Sequence, residues 1–408
     1  MARFIVVVLD GFGVGEMPDV PVVRPQDSGA NTAEKLLNHF PLKTLPTLEK
    51  LGLLNVVGET KSVMEASSVA NWGRAWLAHE GGDTFMGHQE IMGTLPKPPA
   101  VMAFQQSIDA IEQALLQRNY QVRRLEKHGL QLLVVNDCVV VGDNLEADLG
   151  QVYNLTANFS QISFDQVKEI GGVVRSANVV GRNIAFGGFV DSMQQIFDAI
   201  EIKAGPDGKA KYIGVNSPAS GTYDNGFQVV HLGYGVDPAV QAPQKLHEAG
   251  IHTYLYGKVA DIVQNESGTS YMSVVDTDKV FELLHQDLKQ HATGFFCANV
   301  QETDLSGHLQ DPRQYWKILE KSDKGLEQVI ALMESDDVLV VMADHGNDPF
   351  IGHTRHTREQ VPLLVYHHHT QGIELGTRST LADVGASATT FFDAELPISG
   401  SSFLSLIR

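Results

Sequence analysis

The run ARFIVVVLDGFG at residues 2–13 constrains this chain more than any other stretch. Apolar, mostly β-branched residues fill Phe4 to Leu9 without the alternation of a half-wetted strand, so the segment reads as a strand buried on both faces. Such a strand belongs in a sheet covered by helices on each side. The run stops at Asp10 and a glycine, which puts a carboxylate at the strand's carboxyl tip. The pattern returns late in the chain: VFELLHQDLKQ predicts a helix, GFFCANV a strand, YWKILEKSDKGLEQVIALME a long helix, DDVLVVMADHGN a strand and VPLLVYHH another. Helices alternating with apolar strands predict an α/β core with a mostly parallel sheet flanked by helices. Ligands of such sheets collect beyond the carboxyl ends of the strands. Asp10, the ETD segment and the DHG segment all fall there.

The middle of the chain has a different texture. Prolines in GTLPKPPAV, residues 93–101, predict a hinge, and beyond it LQLLVVNDCVVVG and GGVVRSANVVGRNIAF read as short β-rich pieces alternating with short helical ones. The expectation is an inserted α+β domain over 96–225 between core segments 1–95 and 226–408. The return is the less defined boundary, because SPASGTYDNGFQ at 217–228 is turn-rich throughout.

Charge bounds the partners. Of 408 residues, 30 are Lys or Arg and 49 are Asp or Glu, a formal net charge of -19 that repels nucleic acid and anionic membranes. An anionic substrate would need local help, and bound divalent cations are the obvious source. Cys138 and Cys297 are too few for a disulfide framework, and no apolar run approaches the ~20 residues that span a bilayer. A cytoplasmic protein with a small-molecule partner is expected. Nothing in the sequence sets the oligomeric state.

Three short segments concentrate candidate ligands. VMADHGNDPFIGHTRHT offers Asp344 and His345 at a strand end, then His353 and His356; NVQETDLSGHLQDP offers Asp304 and His308 with Glu302 just before; the first strand adds Asp10. Carboxylate and imidazole together suit a divalent ion such as manganese or zinc, and this many ligands suggest two ions. Taken singly each residue has a plainer role: an Asp after a strand is usually a turn or cap residue, and a lone exposed His usually does nothing. Three such segments at strand tips of one sheet are harder to dismiss. The stretch GGDTFMGHQE at 81–90 poses a related question. A dinuclear centre can bind the Thr84 hydroxyl as an alkoxide for phosphoryl transfer, and Gly81 and Gly82 would let backbone approach such a group. A helix N-cap at Asp83 or Thr84 accounts for the same residues, and spacing alone does not choose between these roles.

DTFMGHQEIMG closely resembles the DT-x-x-GHWEIMG motif of phosphopentomutases, and ADHGNDP with RHTREQVPLLVY resembles their metal-binding segment, within the alkaline phosphatase superfamily. DSGANTAEKL, YGKVADIV and TLADVGASATTFFDAELPISGSSFL extend the likeness along both core segments; the mid-chain domain resembles the family's cap only patchily. The resemblance implies an alkaline-phosphatase-like core and an isomerase. Asp10, Asp344 and His345 would hold one manganese and Asp304, His308 and His356 another, with Thr84 bridging both and carrying phosphate. It also implies a substrate role for Lys258 and for Asp148 in the cap, and a sugar bisphosphate as activator. Hydrolysis of phosphate or sulfate esters is the alternative chemistry for such a site, and a non-catalytic metal-binding regulator is a third.

The departures narrow the substrate. Asp304 and His308 stand one residue closer than in phosphopentomutases, and Gln89 replaces their usual Trp. Where the family reads GR-x-IAR this chain reads GRNIAF, so Phe186 stands at an expected phosphate-binding arginine. A second expected arginine is absent from SGTYDNGFQ. Two missing cations predict a substrate other than simple ribose 5-phosphate.

Overall fold

The structure, a computed structural model, describes residues 2–146, 149–205 and 207–407. The described chain divides into two compact units: 1–96 with 237–408, and 97–236.

The first unit is a helix-flanked sheet of eight strands. Their order is Thr269–Tyr271, Thr253–Tyr256, Gly294–Val300, Arg3–Leu9, Val338–Met342, Val361–Tyr366, Asn71–Ala75 and Glu374–Arg378. Every residue of Arg3–Leu9 is buried, as its unbroken apolar run requires. Its neighbours Gly294–Val300 and Val338–Met342 run parallel to it, with Leu9 opposite Val300 and Val8 opposite Met342. That register ends all three strands flush, so Asp10, the helix Glu302–His308 and Asp344 emerge along one edge. Val361–Tyr366 is the exception to the parallel arrangement, pairing antiparallel on both sides. The reversal has a use. A parallel successor to Val338–Met342 would require a crossover to the opposite edge, whereas an antiparallel one leaves the whole loop 343–360 at the carboxyl edge.

The second unit has its own core and a six-stranded sheet, in the order Gln228–Gly233, Arg182–Gly188, Val152–Asn158, Val139–Asp143, Leu130–Val135 and Val122–Lys127. Helices Ile108–Gln117 and Phe164–Ser176 bury their apolar faces in that core. Two expectations change here. GGVVRS is helical rather than β-rich: Ser163 and Gln166 form a capping box, and Val167, Ile170, Gly171 and Val174 recur at helical spacing on the buried face. Gly171 is suited to that face because a Cβ there would lie 2.9 Å from Leu232. The unit also runs past residue 225, since Gln228–Gly233 pairs antiparallel with Arg182–Gly188 and completes the sheet.

In the tract His367–His369 that follows Val361–Tyr366, His368 and His369 are exposed and His367 is buried.

Candidate metal centre

Six of the singled-out residues gather in two groups at the carboxyl edge of the eight-stranded sheet. Asp10, Asp344 and His345 form one and Asp304, His308 and His356 the other; in each, one ligand atom per residue lies within 4.8 Å of the others. The first group is fully buried, while His308 and His356 remain partly open. Backbone carbonyls set the imidazole tautomers. His308 Nδ1 lies 2.7 Å from the Thr354 carbonyl, His356 Nδ1 2.7 Å from that of Gly82 and His345 Nδ1 2.9 Å from that of Gly346. A carbonyl only accepts, so each Nδ1 carries the hydrogen and each Nε2 presents a lone pair to the group.

The donor set fits divalent cations. Asp10 Oδ1 and His345 Nε2 are buried without a hydrogen-bond partner, 3.4 Å apart. His308 Nε2 and His356 Nε2 point at each other across 3.0 Å, with Asp304 oxygens 3.4 and 3.2 Å away. Buried polar atoms left unpaired are costly, and lone pairs converging from carboxylate and imidazole are the first shell of a manganese- or zinc-type site. Lys258 Nζ lies 3.0 Å from Asp10 Oδ2 and 3.1 Å from Asp304 Oδ2, linking the two groups. Burial opposes its charge, yet Asp10, Asp304 and Asp344 together raise its pKa. The same carboxylates pull His345 toward its charged form against burial, so a proton and a cation compete for its Nε2.

Thr84 opens the helix Thr84–Ile91. Asp83 supplies the N-cap, accepting from the Met86 amide at 2.8 Å. The Thr84 hydroxyl is therefore not needed as a cap, and it donates to Asp344 Oδ2 at 2.7 Å. Gly87 permits this approach: a Cβ there would lie 2.6 Å from the Asp344 carbonyl oxygen.

Two candidate ligands point elsewhere. Glu302 accepts from the Thr277 amide at 2.8 Å, and His353 pairs with Asp27 at 3.1 Å. Asp148 lies outside the described residues. Sequence reasoning missed the supports. His88 Nε2 bonds Asn299 Oδ1 at 2.9 Å, and Asn299 Nδ2 donates to Asp10 Oδ2 at 2.9 Å. Asn347 donates to Asp304 Oδ1 at 2.8 Å. Glu359, wholly buried, accepts from the Thr32 amide and hydroxyl and from the Thr357 hydroxyl, tying the helix Thr32–His39 to the loop that carries His356. The available signal was an isolated Asn within the apolar run GFFCANV.

A buried, carboxylate-rich pair of ligand groups at the strand tips of an α/β sheet is the site of a metalloenzyme. The chain belongs to the metalloenzyme superfamily, whose family model matches residues 2–396. It is 27% identical to the phosphopentomutase of Symbiobacterium thermophilum, over 100% of this chain and 98% of that protein. It is 28% identical to the phosphopentomutase of Acetivibrio thermocellus, over the full length of both. Among solved structures, a Leishmania mexicana phosphoglycerate mutase aligns with 100% of this chain and 97% of its own at 12% identity and a TM-score of 0.45.

Proposed function

We propose that the chain is a phosphomutase, an isomerase that moves a phosphoryl group between two hydroxyls of a small phosphorylated sugar or similar metabolite. Asp10, Asp344 and His345 would hold one divalent ion and Asp304, His308 and His356 a second, with manganese the proposed metal. Bound there, the ions would neutralise charge developing on the transferred group and favour the alkoxide of Thr84. The observation that carries the reading is the Thr84 hydroxyl, 2.7 Å from Asp344 and released from capping by Asp83.

Thr84 is the proposed carrier. Phosphothreonine gives its phosphoryl group to the free hydroxyl of a sugar monophosphate: the bond from Thr84 Oγ1 to phosphorus breaks as the bond to the sugar oxygen forms, leaving a bisphosphate. Thr84 then takes the group from the other position, releasing the isomer and restoring phosphothreonine. A sugar bisphosphate would prime the dephosphorylated enzyme by the same second step. Lys258 supplies a fixed positive charge beside both carboxylate groups, and the start of the helix at Thr84 adds the favourable end of its dipole. Asp148 is proposed to approach the sugar, and the enzyme to be cytoplasmic. Among the described residues no helix is long and apolar enough to cross a membrane.

The test is incubation of the manganese-loaded enzyme with a panel of phosphosugars, followed by phosphorus NMR and intact-mass measurement. With a sugar bisphosphate added as primer, isomer without free phosphate, with one phosphoryl group taken from the bisphosphate by wild type and none by Thr84→Ala, is the expected result. Accumulation of free phosphate would instead make it a hydrolase.

A further inference from the structure

The second unit carries a patch outside its packed core. Along Val152–Asn158, the residues Tyr153, Leu155 and Ala157 enter the core beneath the helices, so Thr156 and Asn158 take the opposite face. Thr156 is in register with Phe186 on the neighbouring strand, and the two side chains stand side by side. Phe186 is only 2% exposed yet belongs to none of the hydrophobic clusters. The turn-rich stretch after residue 217 lies over this face because Gly188 has no side chain: a Cβ there would collide with the Thr222 carbonyl. That closeness brings Tyr223 and Phe227 to Phe186, with ring centroids 5.9 and 6.0 Å away. The two outer rings meet edge to face at 4.8 Å and remain 42% and 40% exposed.

Beside this aromatic floor, Thr156 Oγ1 and Asn158 Nδ2 are buried with no hydrogen-bond partner. The Asn158 carbonyl oxygen is already engaged by the Ser160 and Val190 amides, so what it still offers is an N–H donor. The Tyr223 hydroxyl faces an acid, Glu146, at 3.4 Å. Exposed ring faces favour a flat partner, the orphaned groups favour one with hydrogen-bond acceptors, and Glu146 disfavours an anion.

We infer that this patch is a binding subsite for a flat, uncharged ring bearing hydrogen-bond acceptors, of the kind a nucleoside base presents. The inference rests on the phosphomutase reading only for what the ring is joined to: a phosphorylated metabolite that ends in a ring rather than a bare pentose. Tyr223 and Phe227 stack against the ring over the buried Phe186, while Thr156 and Asn158 meet its acceptors.

Free uridine and free adenosine, which carry no phosphate, test the subsite apart from the chemistry. Each is titrated onto the full-length, manganese-loaded protein by calorimetry and saturation-transfer NMR, with ribose 5-phosphate as comparator. Wild type should bind at least one nucleoside, and the double variant Tyr223→Ala/Phe227→Ala should bind it about tenfold more weakly or worse, as loss of stacking predicts. Thr156→Val, which keeps the side-chain shape, should also weaken it; neither variant should alter ribose 5-phosphate binding. Thr84→Ala should bind nucleoside as wild type does, so failure of phosphoryl transfer and failure of the subsite are distinguishable. Absence of nucleoside binding, affinity unchanged in both variants, or an equal loss of ribose 5-phosphate affinity would overturn the assignment.

Discussion

The carboxyl edge of the core sheet and the face of the second unit's sheet that carries Thr156 both bury unpaired polar atoms, but of opposite kinds. At the core edge the orphans are charged or chargeable: Asp10 Oδ1 and His345 Nε2, with Asp304, Asp344 and Lys258 nearby. On the second face they are neutral, Thr156 and Asn158 beside three aromatic rings. Buried like charges are strongly unfavourable unless a counter-charge joins them, which is why cations are proposed to complete the core edge. A neutral donor lacks one hydrogen bond and is completed by any uncharged acceptor. The difference teaches that one region is shaped for charge and the other against it.

The comparison breaks most visibly at Thr84. Thr84→Ala should lower phosphoryl transfer by on the order of 10⁴-fold or more, the scale on which a lost nucleophile acts, while unfolding stays close to wild type. Phosphoryl-transfer assays beside thermal melts decide this, and retained turnover would remove Thr84 from the chemistry. The metal groups should separate next. Asp10→Asn and Asp304→Asn should each lose about one of two bound manganese equivalents by elemental analysis, because each cluster has its own carboxylate. Equal stoichiometry in both variants and wild type would show that the two groups do not bind metal independently.

Asp143 sharpens the comparison inside the second unit. Burial raises its carboxyl to about 7, against the pull of the Ile213 and Phe104 amides that donate to it. The folded value lies above the unfolded one, so its contribution is fully present below pH ~4 and is lost as pH rises through about 7. Hydrogen exchange in this unit should therefore report up to about 4 kcal/mol less stability at pH 8 than near pH 4. Asp143→Asn should flatten the profile. The smallest effect is expected at Gln89, whose amide donates to the Ile262 carbonyl at 2.9 Å and whose oxygen accepts from Gln241 at 2.6 Å. Gln89→Trp removes the side-chain donor to the Ile262 carbonyl and leaves Gln241 bonded to Thr94 alone, and should cost about 1–3 kcal/mol in denaturant melts; a gain in stability would show that ring packing outweighs this network.

Much of the core was legible because its strands are buried on both faces and announce themselves as unbroken apolar runs. Gly294–Val300, Val338–Met342 and Val361–Tyr366 fall on the expected segments. The helix over GGVVRS was hidden, since two glycines and two valines carry little helical preference; the capping box and burial against Leu232 and Ala185 decide it. Glu302 and His353 show the same limit at the site. Both have the right chemistry beside true cluster members, but each side chain follows its own local partner.

By itself, the sequence determined which residue types reach the strand tips, because side-chain chemistry and hydrophobic period are local properties. It also determined that position 186 carries a ring and not a cation. Only the tertiary structure decided which ligands converge, because Asp10, Asp304 and His356 are distant in the chain and are joined by strand register and an antiparallel return. It alone decided that Asp83 caps the helix and leaves the Thr84 hydroxyl to Asp344, and that Tyr223 and Phe227 close on Phe186. Convergence of this kind depends on distances between segments, and those are set by packing rather than by any one stretch of residues.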